Sequence, residues 1–114
     1  VERYDPATNA WEALAPMAVA RDDLAVAVLD GKLYVVGGEN GDGYLSSVEW
    51  YVPALDAWEA VAPMPTARMS LGVAVLDGKL YAVGGCNDDG GVLSAVERYD
   101  PATNAWVVGG YDGG

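Results

Sequence analysis

Two stretches of the chain alternate small with branched apolar residues, Leu24-Ala25-Val26-Ala27-Val28-Leu29 and Leu71-Gly72-Val73-Ala74-Val75-Leu76. A period of two puts every second side chain on one face, so each stretch predicts a strand, and its small residues admit a neighbouring sheet at close range. Such strands suit the innermost position of a wedge-shaped sheet crowded around an axis. Asp30-Gly31 and Asp77-Gly78 follow directly. Asp-Gly between two β-rich runs signals a type I′ hairpin, because both central positions need positive φ. The second strands, residues 32–36 and 79–83, are apolar around Tyr34 and Tyr81 and end in Gly37-Gly38 and Gly84-Gly85. Paired glycines there suit a backbone that leaves the sheet with unusual φ or passes close to another segment.

Polar loops come next, residues 39–43 and 86–91. Third strands are predicted at residues 1–4, 48–51 and 96–99. Each closes through a turn such as Asp5-Pro6-Ala7-Thr8-Asn9, where Pro pre-sets φ and Asn tolerates the left-handed region. Fourth strands begin at Trp11, Trp58 and Trp106, and the first two run toward Ala15-Pro16-Met17 and Ala62-Pro63-Met64-Pro65, where proline ends pairing. The density of turns and the lack of a sustained 3.6-residue period exclude a helical reading.

This order of elements repeats. Residues 1–11 recur unchanged at 96–106 and in looser form at 48–58, with offsets of 47 and 48 residues; the extra residue lies in the second polar loop. Self-similarity at that period marks units that cannot bury their apolar faces alone and must stack on neighbours. The expected organisation is a partial unit at 1–19 holding third and fourth strands, a complete unit at 20–66, a second at 67–108 with an atypical fourth strand, and a Gly-rich tail at 109–114.

The charge narrows the partners. Seventeen acidic residues against six basic ones give −11, a field that repels phosphate backbones and anionic lipid surfaces. Nucleic acid and membrane are therefore not expected as partners, and no apolar run is long enough to span a bilayer. The chain opens on Val1 with no basic n-region or cleavage motif, which reads as an excerpt and leaves the compartment open. Cys86 is the only cysteine; it reads as a small loop residue, with no neighbouring Lys or Arg to stabilise a thiolate.

The Gly pair after a Tyr-containing strand, then Tyr, then Trp, resembles the kelch repeat, and the resemblance covers essentially the whole chain. Arg21, Asp30-Gly31, Tyr34, Gly37-Gly38, Glu49, Tyr51, Trp58 and Met64 sit at that family's spacing, and the set recurs at Arg68, Asp77-Gly78, Tyr81, Gly84-Gly85, Glu97, Tyr99 and Trp106. The resemblance implies an all-β fold of four-stranded antiparallel propeller blades, too few in one chain to close a ring alone. It also implies a framework role for Arg21, Tyr34, Gly37, Gly38, Trp58, Arg68, Tyr81, Gly84, Gly85 and Trp106. Head-to-tail contacts between blades make rings when the rotation closes. Kelch propellers commonly have six blades, so a homo-trimer of two-bladed chains is favoured, with a dimer of about five blades as its rival.

Kelch propellers usually bind ligands on the face carrying the fourth-to-first and second-to-third loops. Position by position, that rim is Asp22, Asp23, Met69 and Ser70 on the first set of loops and Glu39, Asn40, Cys86 and Asn87 on the second. Relatives that take acidic peptides place arginines at such positions. Here Asp22, Asp23 and Glu39 stand instead, which favours cationic or hydroxylated ligands, a peptide, a protein or a glycan.

Catalysis has little to work with. The copper oxidases and sugar isomerases of the family lean on His, of which the chain has none, and zinc or copper sites need His or clustered Cys. Asn40-Gly41-Asp42 and Asn87-Asp88-Asp89 offer oxygen ligands without the spaced bidentate Glu of an EF-hand, and read as solvated turns. An Asp22–Glu39 acid–base pair has no nucleophile to serve. Neither cofactor nor metal is expected. The function read from the chain is a non-catalytic, self-assembling scaffold for protein or peptide binding. The alternatives are an amplified or designed repeat without an evolved ligand and a carbohydrate-binding or carbohydrate-active propeller.

Overall fold

Short strands separated by tight turns fill residues 1–88 and 91–108, the part of the chain that the computed structural model describes; it contains no helix. Strands β1 (Glu2–Asp5) and β2 (Ala10–Ala13) form a lone hairpin. Next come β3 (Ala25–Leu29), β4 (Lys32–Val36), β5 (Glu39–Asn40), β6 (Gly43–Tyr44), β7 (Val48–Val52) and β8 (Ala57–Val61). The second unit repeats them as β9 (Gly72–Leu76), β10 (Lys79–Val83), β11 (Cys86–Asn87), β12 (Gly91–Val92), β13 (Val96–Asp100) and β14 (Ala105–Val108). The main sheets are four-stranded and antiparallel, ordered β3-β4-β7-β8 and β9-β10-β13-β14. Each is a propeller blade, and together they do not close. The radius of gyration, 14.7 Å, exceeds the roughly 13 Å of a compact domain of this length.

Local chemistry sets the register. Leu29 pairs with Lys32 across Asp30 (φ 53°) and Gly31 (φ 74°), the two positive-φ positions of a type I′ turn. Asp77 and Gly78 do the same in the second blade, at 52° and 72°. Tyr51 lies opposite Trp58 with ring centroids 5.3 Å apart, and Tyr99 opposite Trp106 at 5.2 Å. The fourth strands start one residue before each tryptophan, at Ala10, Ala57 and Ala105.

The polar loops are more ordered than the sequence reading expected. Each folds as a miniature hairpin, β5–β6 and β11–β12. In the first, the Asp42 amide donates to Asn40 Oδ1 at 2.9 Å and Gly43 takes φ 127°, an Asx-type reversal that needs no apolar side chains. Asp89, Gly90 and the tail at 109–114 lie outside the described residues.

The core is a seam between blades. Ala25, Leu29, Tyr34, Val36 and Val48 of the first blade meet Leu71, Leu80, Ala82 and Tyr99 of the second, with Met64 from the connection. Tyr34 and Tyr99 rings stand 6.0 Å apart across it. Alternation along β3 turns Ala25, Ala27 and Leu29 into the seam and leaves Val26 and Val28 exposed. In β9 the phase is opposite: Val73 packs on the core while Gly72, Ala74 and Leu76 are exposed. The outer face of each sheet is therefore uncovered.

The lone hairpin occupies the place of a preceding blade's outer half. Trp58 Nε1 donates to the carbonyl of Ala15, and one repeat on, Trp106 Nε1 donates to that of Ala62, at 2.9 and 2.8 Å. Returning contacts run from the Ala15 amide to Asp56 Oδ1 and from the Ala62 amide to Asn104 Oδ1, both at 3.0 Å. Trp11, with no repeat before it among the described residues, is 67% exposed.

Candidate functional site

One end of the two blades collects the fourth-to-first and second-to-third loops, and buried arginines hold it together. Arg21 Nη1 donates to the carbonyls of Gly37 and Ser47 at 3.0 and 2.9 Å, while Nη2 donates to Glu49 Oε2 at 2.6 Å. The Glu49 carboxylate also accepts the amides of Ala18 and Val19. Arg68 repeats this on Gly84 and Ala95, at 2.9 and 3.0 Å. Its Nη2 lies 2.8 Å from Glu97 Oε1, close enough to pair charges though too oblique for a good hydrogen bond. Both pairs are essentially excluded from water, where a charge is tolerated only with its partner and hydrogen bonds in place.

Arg68 also joins the blades. Its amide donates to the Leu45 carbonyl and its own carbonyl accepts from Gly38, both groups of the first blade, while its side chain serves the second. Close approach explains the glycines there. A Cβ on Gly38 (φ 102°) would meet the Asp22 carbonyl oxygen at 2.5 Å, and one on Gly37 (φ 64°) the Arg68 carbonyl oxygen at 2.6 Å. Gly85 repeats the Gly38 approach, against Met69, while a Cβ on Gly84 would find its nearest neighbour, Leu93 O, at an ordinary 3.5 Å.

All eight rim residues named from the sequence fall on this end. Asp22 and Glu39 exchange backbone hydrogen bonds, each 2.8 Å, and Met69 and Cys86 do the same at 3.1 and 3.0 Å. Asn40 Nδ2 donates to the Ala20 carbonyl at 3.0 Å, and Asn87 Nδ2 to that of Ala67 at 2.7 Å. Ser70 joins the blades, its hydroxyl donating to Asp23 Oδ2 at 3.1 Å and its amide to the Asp23 carbonyl at 3.0 Å. Asp23 and Ser70 both hold positive φ, 53° and 55°. The Asp22 and Glu39 pairing is through the main chain, and Asp22 Oδ1 accepts the Asp23 amide at 2.9 Å.

A recess of about 360 Å³ opens between the loops of the two blades, lined by Tyr44, Pro65, Thr66, Ala67, Asn87 and Asp88. Of these, only Asn87 was read from the sequence as a site residue. The Asp88 carboxylate beside Tyr44 pushes the phenol above its ordinary range, and partial burial and a hydrogen bond to Asp88 act the same way. Tyr44 stands where the next repeat has Val92, and that break in the repeat was the signal that could have found it. Among the described residues no cation lines the recess. Arg21 and Arg68 are buried in ion pairs, and Lys32 and Lys79 follow the hairpin turns at the opposite end of the blades.

Among the described residues no three His, Cys, Asp or Glu side chains converge as a metal site. Cys86 is an unbridged, half-buried thiol. Among the described residues no helix is long and apolar enough to cross a membrane.

Comparison with known proteins gives one family. The Kelch motif model matches residues 20–65 and 67–109. Human Kelch-like protein 4 is 55% identical over 49 residues, 43% of this chain and 7% of that protein. Human Kelch-like protein 5 is 52% identical over 48 residues, 42% of this chain and 6% of that protein. Mouse Influenza virus NS1A-binding protein homolog is 58% identical over 41 residues, 36% of this chain and 6% of that protein. The chain thus spans less than a tenth of the length of these relatives.

Proposed function

Because the chain belongs to the kelch-repeat family, we propose that it is a non-catalytic β-propeller segment that binds a peptide or protein on its acidic loop face. The observation that carries this reading is the convergence of loops from both blades on one end, with Asp22, Asp23, Glu39 and Asp88 presented and no unpaired cation beside them. Such a face attracts basic segments and repels acidic ones. The name of the mouse relative, which says that its counterpart binds a viral protein, agrees with an interaction role.

The same proposal includes association with further blades. Val26 and Val28, exposed on the first blade, are the repeat equivalents of Val73 and Val75 on β9, the strand that faces the first blade in the internal seam. Gly72, Ala74 and Leu76, exposed on the second, are equivalents of Ala25, Ala27 and Leu29 on its other wall. Each copy therefore carries outward the two halves of a seam it already contains, the condition for heterologous head-to-tail assembly. A trimer would bring about six blades together.

Fluorescence titration tests the binding reading, using a lysine- and arginine-rich dodecapeptide and a counterpart with glutamate at every basic position. The basic peptide should bind, more weakly as salt rises and more weakly still to Asp22→Asn/Glu39→Gln, while the acidic one should not. Equal binding of both peptides, or of neither, contradicts it.

A further inference from the structure

The recess between the loops has a one-sided hydrogen-bonding character. Thr66 Oγ1 donates to Glu97 Oε2 at 2.8 Å, Asn87 Nδ2 donates to Ala67 O at 2.7 Å, and the Tyr44 phenol lies beside the Asp88 carboxylate. The Thr66 hydroxyl hydrogen and one Asn87 amide hydrogen are thus committed within the protein. The lining also carries acceptors: the exposed Asp88 carboxylate, and one further lone pair each on the Thr66 hydroxyl and the Ala67 carbonyl. A carboxylate or phosphate guest would meet a like charge there and no cation among the described lining residues.

The apolar walls set the shape of the guest. The half-buried Tyr44 ring and the Pro65 ring both line the recess, surfaces suited to a methylene stem and to a cation over an aromatic face. We infer that this recess is the receptor for one lysine or arginine side chain of a bound peptide, its cationic head on Asp88 and its stem between Tyr44 and Pro65. The inference rests on the peptide-binding reading above and names the side chain that reading leaves open. Only this pair of blades can form it as built: Val92 replaces Tyr44 in the second blade, so a recess made by repeating the pattern would lack the ring.

The test uses N-acetyl-arginine methylamide and its citrulline analogue, which has nearly the same shape without the charge, titrated into ¹⁵N-labelled protein and read by amide resonances. The arginine compound should shift Tyr44, Thr66, Asn87 and Asp88 saturably. Its affinity should drop about tenfold in Asp88→Asn, the loss expected for one charge-assisted hydrogen bond, and stay unchanged in Asp22→Asn. Citrulline should match the weaker value. Equal binding of arginine and citrulline, or shifts centred on Asp22 and Glu39 with Asp88→Asn unaffected, overturns the inference while leaving peptide binding intact. Failure of both the arginine compound and the basic dodecapeptide to move any loop resonance overturns both.

Discussion

The side of the first blade that carries Leu29 is covered by the second blade, the same side of the second has no cover among the described residues, and equivalent side chains fare differently in each. Leu29 is 2% exposed and its repeat equivalent Leu76 is 60%; Val36 is 0% and Val83 is 47%. Tyr34 is buried where Tyr81 is half-exposed, and the buried Gly37-Gly38 pair corresponds to a half-open Gly84-Gly85. Sequence and backbone agree between the two, so the difference is the covering sheet. In this fold burial belongs to the seam and not to the blade, which is why stability here is a nearest-neighbour quantity.

The arginine pairs sharpen the contrast because they should escape it. Each works mainly within its own blade and is equally dry in both. Replacing Arg68 by Met leaves the buried Glu97 carboxylate without its counter-charge, held among the described residues only by the Thr66 hydroxyl, and should cost about 3–5 kcal/mol in chemical denaturation. Arg21→Met should cost about the same, and Arg68→Met with Glu97→Met should recover most of the loss. The seam residues should split instead. Leu29→Ala should cost about 2–5 kcal/mol. Leu76→Ala, measured at dilution, should cost under about 0.5 kcal/mol, and equal losses at the two positions would break the comparison.

Smaller effects follow the outer corners. Trp106→Phe removes the indole donor to Ala62 and should cost about 1 kcal/mol, while Trp11→Phe, whose ring is mostly in water, should leave stability unchanged. The least change concerns pH. Asp56 accepts the Ala15 amide and the Tyr51 hydroxyl, and these bonds, the amide's foremost, hold its carboxyl below the ordinary 3.8. Its contribution is therefore present above that value and is lost as pH falls through the lowered one. Asn104 makes the corresponding contacts to Ala62 and Tyr99 without titrating. Asp56→Asn should flatten the acid limb of the stability curve, and Asn104→Asp should steepen it.

What was legible in the chain was everything that repeats. Alternation in residues 24–29 and 71–76 and Asp-Gly at the hairpins each report a local backbone requirement, and each lies where that requirement places it; Trp at fixed spacing marks each fourth strand. Contacts between repeats were not legible. The Gly38 amide on the Arg68 carbonyl and Tyr44 beside Asp88 bring together unlike positions of successive units, while Ser70 on Asp23 joins like ones, and a period shows which residues are equivalent without showing which ones meet. The miniature hairpins were hidden for another reason: they rest on an Asx turn and main-chain bonds, with no apolar alternation to announce them.

The account turns on the two open faces being halves of one seam, and native mass spectrometry at micromolar concentration measures that most directly. A discrete ring-sized oligomer, a trimer foremost, is the predicted result, dissolved by a charge placed on the exposed wall as Val28→Asp. A monomer that persists at that concentration, unaltered by Val28→Asp, would contradict it.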